Sequence, residues 1–181
     1  MRPASLNRAA RILRAGGIVA HATESVWGFA CDAQNPRALA RVWQIKRRPR
    51  FKRFIVMAAD ARALEPWLEA LPARVTDTWP GPYTWVAPTT SRVPRALRAR
   101  DGTLAVRVTA HRQAAALCRA FGGAIISTSL NRSGERPVRL YREALRRFGA
   151  EVDFVLPGRV GRARKPTQIA DARTGRILRS A

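Results

Sequence analysis

The sequence has few acidic residues, few cysteines and no long hydrophobic run. Its 181 residues include 12 Asp and Glu against 34 Lys and Arg, which gives a formal net charge of +22. The two cysteines, Cys31 and Cys118, are too few for a disulfide scaffold and favour reduced thiols in the cytosol. Apolar runs such as residues 55–59 fall far short of the ~20 residues that a membrane span needs, and the N-terminal segment lacks the apolar core of a signal peptide. We therefore expect a cytoplasmic protein with no membrane segment.

Several kinds of catalytic site are also absent from the sequence. There is no Walker loop, no G-x-G-x-x-G fingerprint and no G-x-S-x-G nucleophile elbow. The two histidines, His21 and His111, are far apart in the chain and belong to no Cys/His cluster with zinc spacing. The sequence thus gives little support to covalent catalysis or to a metal held by the protein.

The basic residues are almost all arginine, since only Lys46, Lys52 and Lys165 are lysine. A surface of this charge attracts polyanions in a salt-dependent manner, which favours nucleic acid or nucleotides as partners. The alternative is a solvated basic surface with no dedicated partner.

The apolar content of 46% and the chain length are sufficient for a hydrophobic core. Helical and extended patterns alternate, which predicts an α/β or α+β sheet with helical cover in a single domain, residues 1–181. The predicted helices cover residues 5–15, 36 to about 49, 60–70, 111–121 and 139–148. The predicted strands cover residues 18–22, 54–59, 83–87, 103–109, 123–128 and 152–156, with short extended pieces at 167–171 and 176–179. Residues 23–35 are expected to form a polar loop.

Polar groups stand where several predicted strands and helices end. Thr23 and Glu24 follow the first strand, a run of cations (46–48) ends the second helix, and Arg107 lies within an otherwise apolar strand. The segment 127–131, Ser-Thr-Ser-Leu-Asn, closes another strand. Loops at strand ends are common ligand sites in open α/β sheets, so the cations could clamp an anion that the hydroxyls orient. Helix-dipole capping, a solvent-facing edge strand and ordinary turn chemistry are the alternative explanations.

Six short motifs occur in one order along the chain. They are HATESVWG (21–28), KRRP (46–49), WPGPYT (79–84), AVRV (105–108), SLNRSG (129–134) and PTQIAD (166–171). Together they resemble the YrdC-like domain family, in its single-domain TsaC type of L-threonylcarbamoyladenylate synthase, from about Ile12 to Arg179. His21 and Ala22 replace the family's tyrosine and proline, Leu130 replaces its usual alanine, and Met57 stands where some relatives have histidine.

The resemblance implies an open twisted mixed sheet with flanking helices around a basic concave site. It also implies a nucleotidyltransferase activity in which L-threonine and bicarbonate give N-carboxythreonine, whose carbamate oxygen attacks the α-phosphorus of ATP. Pyrophosphate leaves, and partner proteins transfer the threonylcarbamoyl group to tRNA. Such a reaction depends on positioning and on preorganised cations, and Mg²⁺ would be carried by the phosphates rather than by an acidic cage.

The resemblance also implies roles for individual residues. Lys46, Arg48, Ser129 and Asn131 are expected to form the catalytic tetrad on the phosphates. The expected threonine-binding residues are Thr23, Arg107, Ser127 and Thr167. The expected ATP-binding residues are Arg48, Lys52, Thr103, Ser129 and Arg179.

Two other functions are compatible with the sequence. The first is a non-catalytic module that binds double-stranded RNA or tRNA through the basic surface, and RNA binding could also accompany the enzymatic activity. The second is carbamoyl transfer to another acceptor, as in multidomain relatives that use carbamoyl phosphate. The absence of fused domains in this sequence argues against the second.

Overall fold

The structure is a computed structural model that describes residues 3–49, 52, 54–163 and 165–180. Within these ranges it contains five α-helices and nine strands. The helices are α1 (Pro3–Arg14), α2 (Pro36–Lys46), α3 (Ala73–Thr76), α4 (Arg112–Phe121) and α5 (Tyr141–Phe148). The strands are β1 (Val19–Ala22), β2 (Trp27–Asp32), β3 (Ile55–Ala58), β4 (Tyr83–Pro88), β5 (Thr103–Val108), β6 (Ile125–Ser129), β7 (Phe154–Val155), β8 (Gln168–Asp171) and β9 (Ile177–Arg179).

All of these strands belong to one mixed sheet with the order β7-β1-β2-β6-β3-β5-β4-β8-β9. The pairs β1/β7, β3/β5 and β4/β8 are parallel, and the remaining neighbours are antiparallel. The mixed α/β architecture expected from the sequence is confirmed.

The sequence-based prediction missed strand β2 and the short helix α3, and it overpredicted one helix. Residues 23–35 contain strand β2 near the middle of the sheet, although they were expected to form a loop. The helix predicted over 60–70 is wrong, because that segment forms turns and a 3₁₀ helix at Glu65–Trp67. Asp60 does accept a hydrogen bond from the Ala63 amide, but Pro66 has no amide hydrogen and cannot continue an α-helical ladder.

The sheet has an apolar layer on each face. On the first face, Trp27, Phe29, Val56 and Val106 belong to a large buried cluster that includes residues of α2 and α5. On the second face, a smaller cluster joins the sheet to α1 and α4 through residues such as Leu13, Val19, Ala30, Met57 and Leu117. These two helices cover only part of the second face, and the uncovered part holds the site described below. No helix in the described ranges is both long and apolar enough to cross a membrane.

The turn after helix α2 brings Arg48 to this uncovered region. Its N-terminus is capped by Asn35, whose side-chain oxygen accepts hydrogen bonds from the amides of residues 37 and 38 at 3.0 Å, and Pro36 occupies the first helical position. Its last residue is Lys46, because Arg47 adopts the left-handed conformation with φ 47°. This turn separates Lys46, which is buried, from Arg48, which is half-buried.

Candidate active site

The uncovered part of the second face forms a hollow of about 270 Å³. Side chains alternate along a strand, so the residues that point into the hollow lie on the same face as the smaller apolar cluster. In β6, for example, Ile125 belongs to that cluster, whereas Ser127 and Ser129 line the hollow. Seven of the residues expected in the site line this one space: Thr23, Arg48, Arg107, Ser127, Ser129, Thr167 and Arg179.

Three guanidinium groups, those of Arg48, Arg107 and Arg179, line the hollow. Burial and the charge of Arg179 lower the pKa of Arg48, and burial and the charge of Arg107 lower the pKa of Arg179. Arg179 is therefore within electrostatic reach of both other arginines. Crowded positive charges of this kind are stabilised by an anionic ligand.

Two members of the expected tetrad, Arg48 and Ser129, line the hollow, and the other two, Lys46 and Asn131, lie behind Ser129. The Ser129 hydroxyl donates to the Asn131 side-chain oxygen at 2.6 Å. The Asn131 side-chain nitrogen donates to the carbonyls of Arg132 and Glu135 at 2.8 and 2.9 Å. Asn131 therefore holds the loop that follows β6 and supports the Ser129 hydroxyl.

Lys46 is almost fully buried, with 1% of its surface exposed. Its Nζ donates to the carbonyls of Ser129 and Asn131 at 2.5 and 2.9 Å and lies 3.2 Å from the Asn131 side-chain oxygen. Burial, and to a lesser degree the charge of Arg48, lower the pKa of Lys46 to about 7. The three oxygens match the three hydrogens of the ammonium group, so Lys46 ties α2 to the loop after β6.

Three hydroxyl groups from separate segments complete the wall of the hollow. The Thr23 hydroxyl donates to the Val26 carbonyl at 2.7 Å, and the Thr167 hydroxyl lies 3.0 Å from that of Thr84. Each hydroxyl retains hydrogen-bonding capacity beyond this contact. The third hydroxyl belongs to Ser127, which lies beside His21 at the edge of the apolar cluster.

Glu24 is a charged neighbour of the hollow to which the sequence analysis assigned no role. Its Oε2 lies 3.3 Å from Nη1 of Arg107, and its Oε1 accepts a hydrogen bond from the Thr109 hydroxyl at 2.5 Å. Burial raises the pKa of Glu24, but Arg107 and the Thr109 hydroxyl outweigh burial and hold the pKa below its usual value. The sequence marked Glu24 only as a polar residue at a strand end beside Thr23, and the scarcity of acidic residues was the further signal that could have given it a role.

His21 is also part of the surroundings of the hollow. It is completely buried, and its Nε2 lies 3.5 Å from the Ser127 hydroxyl. Burial, assisted by the positive charges of His111 and Arg107, lowers the pKa of His21 to about 3. The imidazole is therefore neutral at pH 7.

Two of the expected ATP-binding residues lie outside the lining of the hollow. Lys52 is exposed, and its backbone carbonyl accepts a hydrogen bond from Nε of Arg48 at 2.8 Å. Thr103 is at the start of β5, where its hydroxyl donates to Asp101 at 2.7 Å. Among the described residues, no group of three or more His, Cys, Asp or Glu could hold a metal ion.

Comparison with known proteins identifies the family of this chain. The family profile described as "Telomere recombination", which groups Sua5, YciO and YrdC proteins, matches residues 11–181. The chain belongs to the Sua5/YciO/YrdC family. The threonylcarbamoyl-AMP synthase of Halorhodospira halophila is 49% identical to it, and the match covers 98% of this chain and 95% of the relative.

Solved structures of the Sua5/YciO/YrdC family have the same fold. Escherichia coli YciO matches with a TM-score of 0.86 and 27% identity over 99% of this chain and 90% of that one. P. abyssi Sua5, crystallised with L-threonine, matches with a TM-score of 0.89 and 28% identity over 96% of this chain. The match covers 53% of P. abyssi Sua5, so this chain corresponds to about half of that protein.

Proposed function

We propose that this protein is an ATP-dependent L-threonylcarbamoyl-AMP synthase with a single YrdC-like domain, residues 1–181. L-threonine, bicarbonate and ATP give threonylcarbamoyl-AMP, pyrophosphate and water. The product is the donor for the N6-threonylcarbamoyladenosine modification of tRNA. Partner proteins in the cytoplasm transfer the threonylcarbamoyl group to the tRNA. The observation that carries the proposal is that three guanidinium groups and several hydroxyls converge on one hollow in a chain whose full-length relatives are threonylcarbamoyl-AMP synthases.

We propose that the three arginines divide the hollow between the substrates. Arg48 and Ser129, supported by Lys46 and Asn131, are proposed to hold the phosphates, which arrive as the Mg²⁺ complex of ATP. Arg107, which also lines the hollow, is proposed to bind the threonine carboxylate. Arg179 lines the same hollow and donates a hydrogen bond to the Thr167 carbonyl at 2.8 Å, and it is proposed to lie where the two anions meet.

The chemistry needs little more than this arrangement. The nucleophile is a carbamate oxygen that already carries negative charge, so no strong base is required. The carbamate oxygen forms a bond to the α-phosphorus, and the bond between the α-phosphorus and the bridging oxygen breaks to release pyrophosphate. Fixed guanidinium groups offset the repulsion between the two anions and stabilise the charge that develops on pyrophosphate.

The hydroxyls are proposed to complete the threonine site. Thr23, Ser127 and Thr167 line the hollow together with Arg107 and have capacity for further hydrogen bonds. Lys52 and Thr103, which lie outside the lining, are proposed to contact the distal parts of the nucleotide.

The test is pyrophosphate release from ATP, combined with mass-spectrometric detection of threonylcarbamoyl-AMP. Release is expected to require both L-threonine and bicarbonate, and L-serine serves as the control for side-chain recognition. Pyrophosphate release that is independent of threonine would overturn the substrate assignment.

RNA binding is a second proposed function, and a basic groove favours it. The groove has a volume of about 1200 Å³ and includes Arg112, Arg119 and Arg159. Arg112, Arg119 and Arg159 are exposed and form no ion pair with any described residue. Several cations without ion-pair partners along one groove suit a phosphodiester backbone.

The salt dependence of tRNA binding tests this second function. Replacing Arg112, Arg119 and Arg159 with Gln is expected to weaken binding. It should also reduce the slope of log K against log salt by up to about 0.9 for each phosphate that the protein no longer neutralises, on the scale of a B-form duplex. The same change at the exposed residues Arg95, Arg98 and Arg100 is the control. Equal slopes in the two triple variants would contradict a role for the groove.

A further inference from the structure

Arg107 is held by the protein through only part of its guanidinium group. Nη1 lies 3.3 Å from the Glu24 carboxylate, and Nη2 lies 3.2 Å from Sδ of Met57. Nε is buried and has no hydrogen-bond partner among the described residues. These two contacts fix the plane of the group and use two of its five N–H groups, so other N–H groups remain for a ligand in the hollow that Arg107 lines.

Glu24 is itself fixed by contacts from several segments. Its Oε1 is held by the Thr109 hydroxyl at 2.5 Å, and its backbone carbonyl accepts a hydrogen bond from the Ala163 amide at 3.2 Å. The Gly161 amide donates to the Thr23 carbonyl at 2.9 Å. A Cβ at Gly161 would lie 2.7 Å from the Glu24 carbonyl oxygen, so the loop containing residues 161–163 lies directly against the turn that bears Glu24.

We propose that Glu24 is a positioning residue, which orients the Arg107 guanidinium toward the carboxylate of the substrate. This inference rests on the proposed function, because it takes L-threonine as the ligand of Arg107. Glu24 touches neither substrate in this arrangement. It acts through Arg107, and Thr109 acts through Glu24.

The direction in which Glu24→Gln changes the affinity for threonine distinguishes a positioning role from a simple electrostatic effect. A carboxylate beside Arg107 reduces the positive potential that attracts an anionic substrate. If charge alone mattered, Glu24→Gln would strengthen threonine binding. If Glu24 fixes the orientation of Arg107, the same substitution weakens threonine binding even though it makes the hollow more positive.

Steady-state kinetics of Glu24→Gln tests the proposal. We expect the KM for L-threonine to rise about tenfold, which is the scale of one charge-assisted hydrogen bond, while kcat and the KM for ATP stay within about twofold. Glu69→Gln, a change at an exposed acid, is the matched control and should leave all three constants unchanged. A threonine KM that is unchanged or lower in Glu24→Gln would overturn the proposal.

Thr109→Val gives a second test in which the Glu24 charge is retained. Loss of the hydroxyl releases Oε1, so the threonine KM is expected to rise by about threefold, less than in Glu24→Gln. With L-threonine amide, which lacks the carboxylate, neither substitution should change the KM by more than about twofold. An equal effect on threonine and on its amide would indicate general damage to the site and would overturn the positioning role.

Calorimetry with L-threonine distinguishes failure of this inference from failure of the proposed function. If the wild-type protein releases no pyrophosphate but binds threonine, the proposed function fails while weaker binding by Glu24→Gln still supports the inference. If the wild-type protein is active and Glu24→Gln binds threonine equally well, only the inference fails. If the wild-type protein does not bind threonine, both fail.

Discussion

His21 on β1 reaches past Gly28 on β2, so that its Nε2 lies 3.5 Å from the hydroxyl of Ser127 on β6. The contact is possible because Gly28 has no side chain. An added Cβ at Gly28 would lie 3.1 Å from the Thr128 carbonyl, 3.4 Å from His21 Nε2 and 3.6 Å from the Ser127 hydroxyl. Gly28 thus keeps the floor of the hollow open and the Ser127 hydroxyl accessible.

Gly28→Ala is expected to raise the KM for threonine by about tenfold. The added methyl group enters the floor of the hollow, and the backbone carbonyl at 3.1 Å cannot move without disturbing the pairing of β2 with β6. Overpacking of this kind costs about 1–3 kcal/mol of the free energy of unfolding. Gly123→Ala is the control, because its Cβ would meet only Phe121 at 3.9 Å. Similar kinetics for the two variants would refute this account of Gly28.

Lys46→Met is expected to lower the free energy of unfolding by about 2–5 kcal/mol as well as the turnover. Methionine fits the length of lysine but removes one donor from the Ser129 carbonyl and the Asn131 side-chain oxygen, and it leaves the Asn131 carbonyl without its Lys46 donor. Urea denaturation measures the change, with Lys165→Met, at an exposed position, as the control. A Lys46→Met protein that is as stable as the wild type would show that the ammonium group does not hold the loop after β6.

Arg48→Met is expected to raise the KM for ATP by about tenfold to a hundredfold, which corresponds to the loss of charge-assisted contacts with phosphate. The KM for threonine should change much less, because Arg107 is intact. Arg37→Met, at an exposed position in α2, provides the comparison. Phosphate binding would have to be assigned elsewhere if the two variants had the same KM for ATP.

His21→Gln is expected to make the protein less sensitive to acid. Burial lowers the pKa of His21 to about 3, against an ordinary value of 6.5. Because the unfolded chain binds the proton more readily, the free energy of unfolding falls below pH 6.5, by at most about 1.4 kcal/mol per pH unit, until about pH 3. Glutamine does not titrate, so the curve of stability against pH should be flatter in the variant. The curves are measured by urea denaturation, and parallel curves would exclude His21 as the source.

Much of the fold follows from the sequence, and the exceptions have physical causes. Helix α2 was predictable because Asn35 and Pro36 mark its start and Pro49 limits its length. Strand β2 was not predicted, because it is short, contains Gly28 and is preceded and followed by polar residues. The helix over 60–70 was overpredicted, because Pro66 lacks the amide hydrogen that an α-helical ladder needs.

The composition of the candidate site was more predictable than its internal contacts. The strand-end pattern and the family motifs selected seven residues that line the hollow. The orientation of Lys46 depends on the backbone turn at Arg47, and the contact between Glu24 and Arg107 joins β5 to a loop that is distant in the chain. Contacts of this kind are set by tertiary packing, and local patterns in the sequence do not specify them.

The left-handed residue at the end of α2 has a mechanical consequence. The backbone turn at Arg47 directs the two flanking cations differently. The Lys46 ammonium group is buried, whereas the Arg48 guanidinium group lines the hollow. A β-branched residue at this position strongly resists such a backbone geometry. Arg47→Val would therefore disturb this turn. It would displace both Lys46 from its carbonyl partners and Arg48 from the hollow.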